Sequence, residues 1–206
     1  LMRTFGMMTA RLDVVLLWGV MIAGAGVFVD LLGDSRADFV VGLVSTFAQF
    51  ITISAVLKGM GIHRAWGRAG RVASYVGLGI VGTIAIGTGF VAFLIPGLFL
   101  YARWLLAVPL VIGEGERMAD ALGESWHRTR GNTLPLMIAL AVVLLPILLS
   151  MGVLIFYYPE YGPAPLPAAL AANALITLGF IASWFLAAVA HAMLQPDSVE
   201  TGTPAL

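Results

Sequence analysis

The stretch FLIPGLFLYARWLLAVP, residues 93–109, decides how this chain is read. Most of it has the composition of a membrane span, yet Pro96-Gly97 interrupts it and Arg103 places a permanent charge among apolar neighbours. Proline lacks the N–H that a helix interior needs, and glycine is the weakest helix former after it. A guanidinium at mid-bilayer costs about 2.5–3.5 kcal/mol or more. Both oddities make sense if two spans meet here in a tight hairpin. Pro96-Gly97 then turns the chain at the outer face, and Arg103 lies about six residues, or roughly 9 Å, along the returning helix. From there a long side chain reaches the outer headgroups or an acid at that level. Tyr101 and Trp104 flank it as an interfacial belt.

The rest of the chain agrees with a membrane setting. Of 206 residues, 60% are hydrophobic and 11% charged, against about 25% charged in a soluble domain. The mean hydropathy is +0.99. Six apolar segments emerge, at about 12–32, 38–57, 73–95, 98–112, 133–157 and 167–193. The fourth is short for a hydrocarbon core of about 30 Å, so it works tilted or paired with the third. The expected fold is all-α: a polytopic bundle of six transmembrane helices forming a single integral membrane domain, residues 1–206. Arg3, Arg11, the apolar stretch at 14–22 and the AGA at 23–25 imitate a signal peptide, but the apolar run continues through Leu32 and is long enough to span.

Orientation follows from the basic residues. Arg3, Arg11, Lys58, Arg64, Arg68, Arg71, Arg117, Arg128 and Arg130 all fall on one face, leaving Arg36 and Arg103 of the eleven. The opposite loops carry Asp30, Asp34, Asp38 and Glu160. Both termini are therefore expected in the cytoplasm.

Several function classes fall away. The formal net charge is zero, which offers no clustered basic face for a nucleic acid. There is no cysteine, hence no disulfide, thiolate metal site or cysteine nucleophile. His63, His127 and His191 lie far apart without metal-ligand spacing, and no serine sits in G-x-S-x-G. GLGIVG at 77–82 fits G-x-G-x-x-G, but a dinucleotide site needs a strand, a turn and a helix around it. Gly79, Thr83 and Gly87 instead recur every four residues, the small-residue pattern that lets membrane helices approach closely. Gly24 and Gly26 in the first span read the same way. The expectation is a non-enzymatic chain with no catalytic, cofactor-binding or metal residues.

Two polar stripes remain. Asp38, Gly42, Ser45, Gln49 and Thr52 share one face of the second span; Asn173, Thr177, Trp184 and His191 share one face of the sixth. Such residues turn inward, to bond between helices or to line a polar cavity. Between the fourth and fifth spans, residues 116–130 form an amphipathic cytoplasmic helix. Met118, Leu122, Ser125, Trp126 and Thr129 lie on one side, and Glu116, Arg117, Asp120, Glu124, His127 and Arg128 on the other. Three acids against two arginines argue against electrostatic attraction to anionic lipid. Trp126 is expected to anchor this helix on the bundle or at the interface, and a docking role for a protein partner at this cytoplasmic face is the other use it allows. Glu124 and Arg128 make an i,i+4 pair, and Gly131-Asn132 caps the end.

Residues 95–132, IPGLFLYARWLLAVPLVIGEGERMADALGESWHRTRGN, carry a likeness. A Pro-Gly turn, an arginine, a proline, a glutamate and an A-L-x-x-S-W-x-x-T-x-G-N helix stand here as Pro96, Gly97, Arg103, Pro109, Glu114, Ala121, Leu122, Ser125, Trp126, Thr129, Gly131 and Asn132. This stretch resembles bacterial six-span inner-membrane proteins related to the membrane domain of glycerophosphodiester phosphodiesterases. The resemblance implies a bacterial inner-membrane setting. It carries no phosphodiesterase activity, which in such proteins belongs to a separate soluble barrel that this chain has no room for. The leading expectation is an accessory or scaffold protein in lipid or envelope homeostasis, with membrane lipid as its partner. The alternative is a small transporter or lipid-handling protein with a polar intramembrane cavity. Arg103, Asp30, Glu114, Gln49 and Asn173 are the candidate functional or ion-pair residues. For Arg103 the expected partner is Asp30, ahead of Asp34 and Asp38.

Overall fold

The structure, a computed structural model, describes residues 1–32, 38–62, 70–157 and 165–195, and among these it is helical with no strand. Asp34, Arg36, His63, Arg64, Arg68 and Glu160 lie outside the described residues, as do the side chains of Asp38 and Arg71. The helices are α1 (Met2–Ala10), α2 (Leu12–Leu32), α3 (Asp38–Gly59), α4 (Gly70–Ala92), α5 (Leu94–Trp104), α6 (Ala107–Pro109), α7 (Met118–Arg128), α8 (Thr133–Tyr157) and α9 (Leu166–Met193). A π-helical turn, Leu110–Glu114, follows α6. Six stretches are long and apolar enough to cross a membrane: α2, residues Phe39–Gly59 of α3, Val72–Ala92 of α4, the composite Leu94–Glu114, Thr133–Phe156 of α8, and α9. The shortest of them, at 21 residues, reaches about 31 Å at helical rise, enough for the hydrocarbon core.

The centre of the bundle is α9. Its span is 72% buried, whereas that of α4 is only 11% buried. The reason is in the sequence: small residues, Ala182, Ala187, Ala188 and Ala190 among them, leave room for neighbours on every side. Helices α8, α2, α3 and α1 all pack on it. Contacts are closest at glycines: Gly179 lies against Ile147 of α8, and Gly26 of α2 against the Asn173 side chain. Gly24 faces open space, so of that pair only Gly26 serves close packing.

The hairpin forms one step earlier than the Pro-Gly signal suggests. Phe93 is the break, with extended backbone (φ −161°, ψ 140°), and α5 begins at Leu94. Pro96 sits in the first turn of α5, where no helical N–H is required of it. Gly97 has a separate task. A Cβ there would lie 2.6 Å from the Phe90 amide nitrogen, and one on Gly89 would lie 2.9 Å from Gly97 Cα. The two glycines let α4 and α5 touch backbone to backbone. The fourth span is therefore not a short helix over 98–112 but a 21-residue one, broken at 105–106.

Helix α1 is the element the sequence reading lacked. Its Thr4 and Met8 are buried, and it packs on α9 at the same end of the bundle as α7. Two arginines in eleven residues read as a charged flank, and nine residues are too few for a clear apolar period. The helix 116–130 appears as Met118–Arg128, and Gly131, at φ +88°, makes the left-handed cap its type allows.

Candidate functional site

The interrupted fourth span and α7 build a polar joint at one end of the bundle. The ladder of α5 stops at Trp104, leaving the Leu106 amide without its helical acceptor. Ser125 on α7 takes over. Its Oγ accepts from the Leu106 N–H at 3.1 Å and donates to the Arg103 carbonyl at 2.8 Å. Ser125 and Thr129 are fully buried, with Ala121 one turn back on the same face. Trp126, expected to anchor this helix on the bundle or at the interface, is 41% exposed. Its ring edge meets Phe99, centroids 5.9 Å apart, while its face carries the Arg103 guanidinium at 4.2 Å.

Below the break, the π-helical turn aims Glu114 into the bundle, a common use of such turns. Arg128 grips its carboxylate with both terminal nitrogens, at 2.7 and 3.0 Å, and its Nε reaches Glu124 at 2.7 Å. A bidentate pair at 10% and 25% side-chain exposure is screened far less than a surface pair. His191 of α9, fully buried, places Nε2 3.4 Å from the same Glu114 carboxylate. Burial, then the neighbouring Glu114 charge, pushes the Glu116 carboxyl above the usual range. Among the described residues no group of three or more His, Asp or Glu is placed to hold a metal ion.

Arg103 and Asp30 do not meet. Because α5 starts at Leu94, Arg103 lies nine residues from the hairpin, about 14 Å at helical rise. It turns toward α7 and the first residue of α8, at the opposite end from Asp30. Its Nη1 lies 3.4 Å from Thr129 Oγ1 and 3.3 Å from Thr133 Oγ1, and its Nε is buried with no acceptor. Asp30 accepts instead from Asn173 Nδ2 at 2.6 Å, joining α2 to α9, and Asn173 also donates to the Ala169 carbonyl. Pro96 lies inside the first turn of α5, not at the turn of the chain, and this puts Arg103 deeper than the Pro-Gly signal suggests.

The two polar stripes meet only in part: Gln49 of the second span and Trp184 of the sixth both line one groove between the spans. The Tyr75 hydroxyl of α4 lies 2.6 Å from the Thr46 carbonyl and 2.9 Å from Gln49 Oε1, so the Gln49 end of the second span is joined to α4. Asn173 serves Asp30, Thr177 is buried, and His191 serves the polar joint.

What lies between the spans is an apolar groove with a volume of about 790 Å³. One wall is α4, with Gly79, Gly82, Thr83 and Gly87; the other is α8, with Leu144 and Ile147. Leu98, Tyr101 and Trp104 of α5 and Ser183 and Trp184 of α9 make its floor. Helices α4 and α8 share no packed interface, so the groove opens sideways between them. Gly79, Gly82 and Gly87 do not pack against another helix: the space where a Cβ would stand is empty within 4 Å at each. The four-residue spacing of Gly79, Thr83 and Gly87, expected to bring helices together, instead runs along this wall.

The architecture defines a multi-pass integral membrane protein, an all-α bundle of six apolar helices. Compared with family models, with curated proteins and with solved structures, the chain matches none.

Proposed function

We propose that this chain is a non-enzymatic lipid-handling protein of the bacterial inner membrane, which holds a lipid acyl chain in the groove between α4 and α8. The apolar groove carries this reading. Its volume, about 790 Å³, lies within the range of about 300–1,000 Å³ typical of ligand sites. Its lining is overwhelmingly apolar, so water gains few hydrogen bonds there. A dry void would forfeit dispersion contacts along both walls. Hydrocarbon from the surrounding bilayer satisfies the lining at no polar cost. This favours lipid over a polar solute, although the interrupted fourth span is a feature shared with transporters. The likeness of residues 95–132 to membrane domains that accompany glycerophosphodiester phosphodiesterases supports a role beside lipid metabolism, as an accessory or scaffold. The basic residues support an orientation with both termini and α7 in the cytoplasm.

The test fills the groove. Gly82→Leu points a side chain into empty space and should not disturb packing. Lipid retained by the purified protein in mild detergent is counted by native mass spectrometry. The variant is expected to lose about nine-tenths of the bound lipid, equivalent to about 1.4 kcal/mol of affinity, with an unchanged melting temperature. Lipid occupancy equal to wild type overturns the reading.

A further inference from the structure

A buried cation with no acid beside it points to a second site, on the other side of α5. Arg103 is 6% exposed, lies over the Trp126 ring and forms no ion pair among the described residues; of its nitrogens only Nη1 is engaged there, by two hydroxyls at 3.3 and 3.4 Å. Both distances exceed the usual range for N–H···O bonds. Thr129 and Thr133 spend their own protons on backbone carbonyls, of Ser125 at 2.7 Å and Thr129 at 3.2 Å, so each presents only lone pairs to the arginine. The guanidinium has five N–H donors, and its Nε stands buried without an acceptor. Arg130, exposed at the end of α7, adds a second positive charge that acts on Arg103. Thr133 is the first residue of a 25-residue helix, whose amino end is itself electropositive.

Two of the acids at this end of the bundle are occupied elsewhere. Glu114 and Glu124 are held by Arg128. A structural cation would be expected beside a carboxylate, since burying an unpaired ion is strongly unfavourable. Three sources of positive potential converge on lone pairs and an aromatic face instead. Trp126 and Phe99, exposed at 41% and 39%, border the site as interfacial aromatics do at headgroup level.

We propose that Arg103, Arg130 and the amino end of α8 form a binding site for a phosphate group, with Trp126 as its aromatic cover. The chemistry suits a phosphate monoester or diester: the planar fork of arginine matches two oxygens, and a phosphate also accepts from α8 amides. Such a group comes from a phospholipid headgroup or from free phosphate. The site does not depend on the groove. Leu98, Tyr101 and Trp104 face the groove, whereas Phe99 and Arg103 lie on the far side of α5, against Trp126.

The experiment titrates the full-length protein in detergent with three probes: dioleoylphosphatidylglycerol, dioleoylglycerol and inorganic phosphate at constant ionic strength. Native mass spectrometry reads lipid binding, and protection against heat reads phosphate. Phosphatidylglycerol is expected to bind at least about ten-fold more tightly than dioleoylglycerol, and Arg103→Gln to remove about that factor. Arg130→Gln, a milder change that keeps the test open if Arg103→Gln does not fold, is expected to weaken binding about three-fold. Gly82→Leu should leave this preference intact, which separates failure here from failure of the groove. Protection by inorganic phosphate that Arg103→Gln or Arg130→Gln abolishes also supports the site and makes the free anion its ligand. Equal binding of phosphatidylglycerol and dioleoylglycerol without phosphate protection overturns the proposal. So does wild-type affinity in Arg130→Gln.

Discussion

Ser125 Oγ holds both sides of the broken fourth span with one atom. It replaces the acceptor that Leu106 loses and binds the carbonyl of Arg103 three residues earlier. Removing it strands the Leu106 N–H, at a cost of about 1–3 kcal/mol, and leaves the Arg103 carbonyl only the 3.4 Å contact with Thr129 Oγ1. Ser125→Ala is therefore expected to destabilise the protein by about 1–3 kcal/mol, read as a lowered midpoint in detergent denaturation. Ser125→Ala no less stable than wild type would show that the break is held by other means. At this scale the sequence was half legible. The spacing of Met118, Leu122, Ser125, Trp126 and Thr129 marks one face of α7, because helical periodicity is local. Which polar group meets which was not legible. Arg103 meets Thr133 across 30 residues and Asn173 meets Asp30 across 143. Nothing in the residues between encodes those distances.

Among elements, the α4–α5 hairpin shows two meanings of glycine in one structure. Gly97 has the Phe90 ring and backbone pressed against it, while Gly87, on the same hairpin, faces empty space. Gly97→Ala is expected to force the helices apart and cost about 2 kcal/mol, the usual scale of overpacking. Gly87→Ala should be neutral, or stabilising by up to about 1 kcal/mol through helix propensity. Paired melting curves decide it, and equal melting temperatures for the two variants would contradict the close contact at Gly97. The four-residue glycine spacing could not separate these cases. Packing and exposed wall need the same small residues, and only the partner helix tells them apart. Pro96 misled for a related reason. Proline breaks a helix interior but suits its first turn, so it locates a boundary only to within a few residues.

For the whole molecule, six spans were readable because a bilayer about 30 Å thick imposes the same length on each, and few charges interrupt them. Their arrangement was not readable. Burial of α9 on all sides and exposure of α4 follow from which helices meet, and hydropathy is similarly high in both. The groove is a property of this arrangement alone: α4 leans on α5 and leaves α8 uncovered. The measurement that tests the central claim most directly is a structure in a lipid nanodisc, with the space between α4 and α8 examined for density. The account predicts α4 and α8 held apart, with elongated hydrocarbon density running past Gly79, Gly82 and Gly87. An α4 closed onto α8, with those three glycines in helix–helix contact and no lipid between, would contradict it.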